Sequence, residues 1–273
     1  MISRATRRLG IALLCSVSIT TAATAAEKLV LGNEGSYPPF SITDASGKLT
    51  GVEPELAREM CKRMDADCEI VAMDFKALIP ALLQNKLDAI ATQIKPTAER
   101  KERALFGMPI VYNPDIFVMK ADKPDTVTKD SVKGMKFGQM RGTVQVKYLT
   151  DQFGDAVEIV TYDNPDQIRL DLLNGRIDAT LGPRINWSLE LLTKPEGKAF
   201  KAAGGEVWTG DPSIPVEQRG SSWIARKDSA PLIERMNAAL KSMIDDCTFT
   251  TIRAKFVAVP IVPGEKACVE KKS

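Results

Sequence analysis

Apolar positions along the chain follow two alternating rhythms. Short β-rich runs occupy Lys28–Gly32, Glu69–Met73 and Asp88–Ala91 and read as strands. Between them the spacing lengthens. Pro54–Met64 carries Leu56, Met60 and Met64 four residues apart, and Phe75–Gln84 carries Leu78, Ile79, Leu82 and Leu83. Both spacings gather the apolar side chains on one face of a helix. The same order returns downstream. Lys136–Gly138, Val157–Thr161 and Asp178–Leu181 read as strands; Gly142-Thr143 opens a helix over Val144–Phe153. Asn164-Pro165-Asp166 starts another helix and Asn174-Gly175 stops it. Ser222–Arg226 is a further strand, and Ala230–Ile244 is a long helix with Ile233, Met236, Leu240 and Ile244 on one face. Strands alternating with helices predict parallel sheets covered by helices, an α/β fold.

Two phrases repeat at matching places. Leu82-Leu83-Gln84-Asn85-Lys86-Leu87-Asp88-Ala89 resembles Leu172-Leu173-Asn174-Gly175-Arg176-Ile177-Asp178-Ala179. Each is a helix end, a turn, a basic residue and a strand that begins Asp-Ala. The repetition predicts two similar lobes.

A length of 273 residues allows one large or two ordinary domains. The net charge is +2, and Arg4, Arg7 and Arg8 supply three of the positive charges. A near-neutral remainder offers no electrostatic footprint for nucleic acid. Those arginines precede an apolar run, Leu9–Ile19, and the small residues Ala23-Thr24-Ala25-Ala26. That is the pattern of a cleaved secretory signal over residues 1–26, with cleavage after Ala25 or Ala26. The run is shorter than the roughly 20 residues a bilayer requires. A lipoprotein with Cys15 as the lipidated residue is the rival reading, disfavoured by the bulky Leu14 before it. Removal of the signal leaves Cys61, Cys68, Cys247 and Cys268. An even count in an oxidising compartment predicts disulfides. Three connectivities exist, and pairing 61 with 68 and 247 with 268 closes the shortest loops. The chain has no histidine. Histidine-based catalytic triads and most metal sites are therefore excluded; a metal site on the four cysteines is the weaker alternative to disulfides, since their spacings do not suit zinc, and no cofactor or metal is expected.

Six phrases, in order, carry a resemblance. They are Glu34-Gly35-Ser36-Tyr37-Pro38-Pro39-Phe40, Gly51-Val52-Glu53-Pro54-Glu55-Leu56-Ala57, Leu78-Ile79-Pro80-Ala81-Leu82, Thr97-Ala98-Glu99-Arg100, Arg141-Gly142-Thr143-Val144-Gln145 and Gly175-Arg176-Ile177-Asp178-Ala179. With them the sequence resembles the family 3 periplasmic solute-binding proteins of ABC transporters, among them lysine/arginine/ornithine-, histidine-, glutamine- and opine-binding proteins. The resemblance implies a type II two-lobed periplasmic binding protein fold, with open, mostly parallel sheets joined by two hinge strands. It implies a discontinuous first lobe, residues 27–115 and 219–259, a second lobe, 116–218, and a tail, 260–273. Several members carry a disulfide where Cys61 and Cys68 lie. The implied function is capture of an amino acid or a derivative in the periplasm, by hinge closure, for an inner-membrane ABC permease; a monomer is expected.

The resemblance also assigns roles. The arginine matching Arg100 grips the ligand's carboxylate, which a guanidinium does with two parallel hydrogen bonds. Thr92 matches small hydroxyl residues that assist it. Gln93 and Lys95 are larger than the family's usual residues there, and both a ligand contact and a solvent-facing role stay open for them. Thr143 lies at a helix start whose free N–H groups favour an anion. Gln145 matches a position that touches the ligand's side chain. Tyr37 and Phe75 match aromatic or apolar groups that cover its stem. Glu34 matches an acid that receives a basic side chain in the lysine/arginine binders.

One position departs from the family. Pro183 stands where an Asp accepts the ligand's α-ammonium, and a proline side chain offers neither charge nor acceptor. Arg184 beside it and Arg141 across the cleft are positive. Burying an unpaired ammonium there is costly. The expected ligand is therefore an acid with a substituted or missing α-amine and an extra carboxylate, as in opines. Two other classes use the same fold. A periplasmic dehydratase would need acid–base groups, for which Glu34 and Lys95 are the candidates. A ligand sensor would pass its closed form to a receptor.

Overall fold

The computed structural model describes residues 26–270. The expected signal segment, including Cys15, lies outside the described residues up to residue 25, as do the last three residues. The chain begins with β1 (Glu27–Asn33), followed by a small antiparallel sheet of β2 (Ser36–Tyr37), β3 (Ser41–Thr43) and β4 (Leu49–Thr50). Next come α1 (Val52–Arg63), β5 (Ala66–Ala72), α2 (Phe75–Leu83), β6 (Ala89–Ile94), α3 (Ala98–Arg103) and β7 (Ala104–Val111). The second part holds β8 (Asp115–Lys120), β9 (Lys136–Met140), α4 (Val144–Phe153), β10 (Glu158–Tyr162), α5 (Pro165–Leu173), β11 (Ala179–Pro183), α6 (Arg184–Trp187) and β12 (Phe200–Val207). The chain then returns through β13 (Ser221–Arg226), α7 (Ala230–Asp245), α8 (Thr248–Arg253) and α9 (Lys266–Glu270).

Two five-stranded sheets result, one in each lobe. Their orders are β5-β1-β6-β13-β7 and β10-β9-β11-β8-β12. The arrangement is the same in both: three parallel strands, then one strand lent from the far side of the crossover, then the outer strand. The sheets are mixed rather than mostly parallel. In each, two of the four neighbouring pairs are antiparallel. The reason is topological: β13 and β8 reach their sheets from the other lobe and run against β6 and β11. The crossovers are Tyr112-Asn113-Pro114 and residues 208–220.

Strand periodicity explains how each sheet is covered on both faces. In β1, Leu29 and Leu31 face the core under α1 and α7, while Val30 faces the side packed by α2. In β8, Phe117 and Met119 join one core and Ile116 and Val118 the other. Leu56 and Met60 of α1 and Met243 of α7 have no exposed surface. Truncating any of them to Ala would cost about 2–5 kcal/mol. Gly51 precedes α1 at φ +109°, and a Cβ there would lie 2.6 Å from the Phe40 carbonyl oxygen, so only glycine fits this entry.

Cys61 is bonded to Cys68 and Cys247 to Cys268. The first bridge fastens α1 to β5. The second fastens the C-terminal segment to the end of α7. That segment is also held by a buried ion pair, Arg253 Nε to Glu265 Oε1 at 2.7 Å, and its Ile261 carbonyl accepts the Tyr112 N–H at the first crossover.

Candidate functional site

The carboxyl ends of β1, β5 and β6 face those of β9, β10 and β11 across a cleft, the usual ligand position in open α/β sheets. The lobes touch there. Asn186 Nδ2 donates to the Pro38 carbonyl at 2.8 Å, Arg100 Nη2 to the Gly142 carbonyl at 3.0 Å, and Lys76 Nζ to Asp163 Oδ1 at 2.6 Å. Between them lies a cavity of about 410 Å³ including its mouth.

Eight of the ten expected residues line this cavity: Glu34, Tyr37, Phe75, Gln93, Lys95, Arg100, Thr143 and Gln145. Their positions follow from strand and helix ends. Glu34 follows β1, Gln93 lies near the end of β6 and Lys95 follows it, Phe75 opens α2, and Thr143 precedes α4, with Gln145 in its first turn. Met140, Val144, Pro183 and Ser221 complete the lining.

Thr92 and Arg141 lie elsewhere. Thr92 neighbours Gln93 in a strand, where consecutive side chains point to opposite faces. It is fully buried, and its hydroxyl donates to Glu53 Oε2 at 2.8 Å. Arg141 extends the pairing of β9 with β10, its N–H donating to the Tyr162 carbonyl at 2.8 Å. Its side chain is exposed, donates to the Thr161 carbonyl at 3.1 Å and lines a surface depression with Asp163 and Asp171.

Arg100 dominates the cavity's charge. Thr97 caps α3 by accepting the Arg100 N–H at 3.1 Å, which sets the side chain's origin. Nη1 donates to the Lys95 carbonyl at 2.9 Å, and the guanidinium lies 5.9 Å above the Phe75 ring. Among the described residues no carboxylate pairs with it. Arg100 keeps some exposed surface, yet protein encloses it enough that burial lowers its pKa to about 10. A guanidinium offers five N–H groups, and the two carbonyls leave donors for an anion. The start of α4 lies beside it. The Thr143 hydroxyl donates to the Met140 carbonyl at 2.8 Å instead of capping the helix, so the first-turn N–H groups keep no side-chain partner.

On the first-lobe side two carboxylates are buried together. Burial pushes Glu34 up to about 8, with Thr92 opposing the shift through a hydrogen bond. Glu53 is also raised, by burial and then by the charge of Glu34. Glu34 Oε2 and Gln93 Nε2 are buried without partners among the described residues. Such orphaned groups in a cleft wall mark polar positions a solute would satisfy. A second, smaller chamber continues behind Tyr37, lined by Gln139, Thr180, Pro183 and Trp187. Gln139 Nε2 and Thr180 Oγ1 are likewise buried and unpartnered.

Sequence reasoning missed Asp115, which has no exposed surface. It opens β8 directly opposite Pro183 of β11. Its Oδ2 pairs with Lys95 Nζ and accepts the Thr209 hydroxyl, and its Oδ1 accepts Gln145 Nε2 at 2.8 Å. The available signal was an acid heading the apolar run Ile116-Phe117-Val118-Met119, since a charge entering a buried strand needs a partner.

Two lobes, two crossovers and a cleft whose guanidinium has no carboxylate partner among the described residues are the arrangement of a solute-binding protein. The chain belongs to the bacterial extracellular solute-binding proteins, family 3, whose profile matches residues 29–259. It is 33% identical to the lysine/arginine/ornithine-binding periplasmic protein of Escherichia coli strain K12, an alignment covering 91% of this chain and 95% of that one. It is 30% identical to the histidine-binding periplasmic protein of Salmonella typhimurium strain LT2, covering 94% and 98%. A solved Salmonella typhimurium periplasmic binding protein with high arginine specificity superimposes with a TM-score of 0.74 at 26% identity, covering 85% of this chain and all of the other.

Proposed function

We propose that this protein captures an amino-acid-type carboxylate in the periplasm by closing its two lobes, and delivers it to an inner-membrane ABC permease as a monomer after removal of an N-terminal signal. The observation that carries this reading is Arg100, a guanidinium enclosed in the cleft with no carboxylate partner among the described residues. A ligand carboxylate supplies the missing counter-ion from within the cavity. The start of α4 then contributes N–H groups from the opposite lobe, so one anion contacts both halves. Only a ligand that contacts both halves stabilises closure. The relatives, a lysine/arginine/ornithine-binding and a histidine-binding periplasmic protein, support the ligand class. We place residues 27–115 and 219–259 in one lobe and 116–218 in the other; the first boundary falls one residue into β8 and the second within the crossover of residues 208–220. Tyr37 and Phe75 would cover the ligand's stem, and Glu34 with Gln93 would meet a cationic or donor-rich far end.

The test begins with protein unfolded to strip carried solute and then refolded. Thermal unfolding is followed with common amino acids, opines and acids lacking an α-amine. A ligand that binds only the native state raises the melting temperature by mass action. A saturable rise with at least one carboxylate is expected. No rise with any of them refutes the proposal.

A further inference from the structure

We infer that Lys95 holds, within the protein itself, the cation that a free amino acid would bring, so that the cleft selects carboxylates with no free ammonium on the carbon beside the carboxyl group. The inference rests on the reading of Arg100 as the carboxylate's anchor. An ammonium on the adjoining carbon cannot lie far from that anchor, so the charges near Arg100 decide whether it is tolerated.

Those charges are already matched. Lys95 is only 8% exposed and lines the cavity beside Arg100, Gln145 and Pro183. Its Nζ pairs with Asp115 Oδ2 and donates to Thr209 Oγ1 at 2.9 Å. The Thr209 hydroxyl donates to the same Oδ2, and Gln145 Nε2 takes Oδ1. Both oxygens of Asp115 are therefore engaged, and the carboxylate has no exposed surface through which to take another cation. Pro183, facing Asp115 across the strand pair, adds no polar side-chain atom. A ligand ammonium would meet two fixed cations, Arg100 and Lys95, with Asp115 already spent. Glu34, the carboxylate on the lining itself, retains its proton through burial below about pH 8.

The same geometry says what fits instead. A lysine ammonium has three N–H groups, and Asp115 and Thr209 occupy two of them. The third is left to donate to a ligand acceptor. A 2-oxo, 2-hydroxy or N-acylated acid presents an acceptor oxygen there, where an amino acid presents donors. With Lys95 and Asp115 cancelling, Arg100 leaves the cavity one uncompensated positive charge, which suits an anion better than a zwitterion. The second chamber behind Pro183, with its unpartnered Thr180 hydroxyl, gives an acyl arm room to extend.

Isothermal titration of the refolded mature protein tests this with matched sets. Arginine, lysine, glutamine and glutamate are each compared with their 2-oxo acid and N-acetyl derivative. The amine-free or acylated member of the best-binding set is expected to bind about 100-fold tighter than its amino acid, the scale of an unpaired buried charge. The double variant Lys95→Ser/Pro183→Asp frees Asp115 and adds a second acceptor. It is expected to gain at least about tenfold for the amino acid and to lose affinity for the oxo acid. Wild-type protein that binds an amino acid as tightly as its derivatives overturns the inference, and this comparison needs no variant to fold. A folded variant with no gain for the amino acid also overturns it. Silence with every compound refutes solute capture as a whole, which distinguishes failure of that reading from failure of this one.

Discussion

Replacing Arg100 by Met separates ligand anchoring from architecture. The guanidinium is enclosed without a carboxylate partner among the described residues, and burial lowers its pKa to about 10. Relief of that desolvation contributes at most about 3 kcal/mol, and less in practice because Arg100 retains some exposed surface. Against this stand the two hydrogen bonds to the Lys95 and Gly142 carbonyls, about 1 kcal/mol each. The Phe75 contact adds about 0.5–1 kcal/mol. The opposing effects cancel to within about 1 kcal/mol, or about 2–4 °C in melting temperature for a chain of this size. Binding is another matter. Removing one partner of a buried charge-assisted pair costs about 2–5 kcal/mol, a loss of about 30- to 4,000-fold in affinity. Thermal unfolding with and without ligand therefore gives two numbers of very different size. Ligand-free stability is expected to be almost unchanged while the ligand-induced rise disappears. A large fall in ligand-free stability with the ligand-induced rise preserved would refute the argument.

Other perturbations test other parts of the structure. Glu34 titrates near 8 in the folded protein and near 4.5 when unfolded, so between those values the native state holds a proton the unfolded state lacks. Stability from this group is full below about pH 4.5 and falls as pH rises to about 8, by up to about 5 kcal/mol; Glu34→Gln is expected to flatten that slope in denaturant titrations across the range. A ligand with a cationic far end should displace the same proton, seen by calorimetry at pH 7 as a binding heat that changes with the buffer's ionisation enthalpy. Lys76→Ala removes a solvent-exposed contact between the lobes and should weaken binding less than about fivefold, with the difference vanishing at high salt. Replacing Cys247 and Cys268 by Ala opens a loop with a sequence separation of 21 and should cost about 3 kcal/mol of stability in denaturant unfolding, with ligand affinity unchanged because the bridge lies away from the cleft.

The alternation of helices and strands was legible because burial enforces it. Leu56 and Met60 must share a helix face, and the helix over Val144–Phe153 was bounded as found because Gly142-Thr143 marks its start. The strand β8 was not read because a strand buried on both faces shows no alternation, Ile116-Phe117-Val118-Met119 being apolar throughout; the edge strands β7 and β12 are only partly buried, with Gly204-Gly205 breaking β12, and carry no clear alternation either. The antiparallel half of each sheet was lost with them. At the site, side chains displayed at strand and helix ends were readable from position. Thr92 was misplaced because one step along a strand reverses its direction. Lys95 was left open between ligand and solvent because its partners are 20 and 114 residues away, at the first residue of β8 and on the second crossover. No local pattern shows such a triangle. Pro183 was read as a missing acceptor, and the structure adds that the nearby carboxylate, Asp115, is present and already engaged.

Small-angle X-ray scattering of the refolded protein, with and without the carboxylate that gives the largest thermal shift, tests the central claim most directly. Capture by lobe closure predicts a smaller radius of gyration at saturation, with the contraction following the binding isotherm and absent in Arg100→Met. An unchanged radius of gyration despite saturable binding would contradict the account.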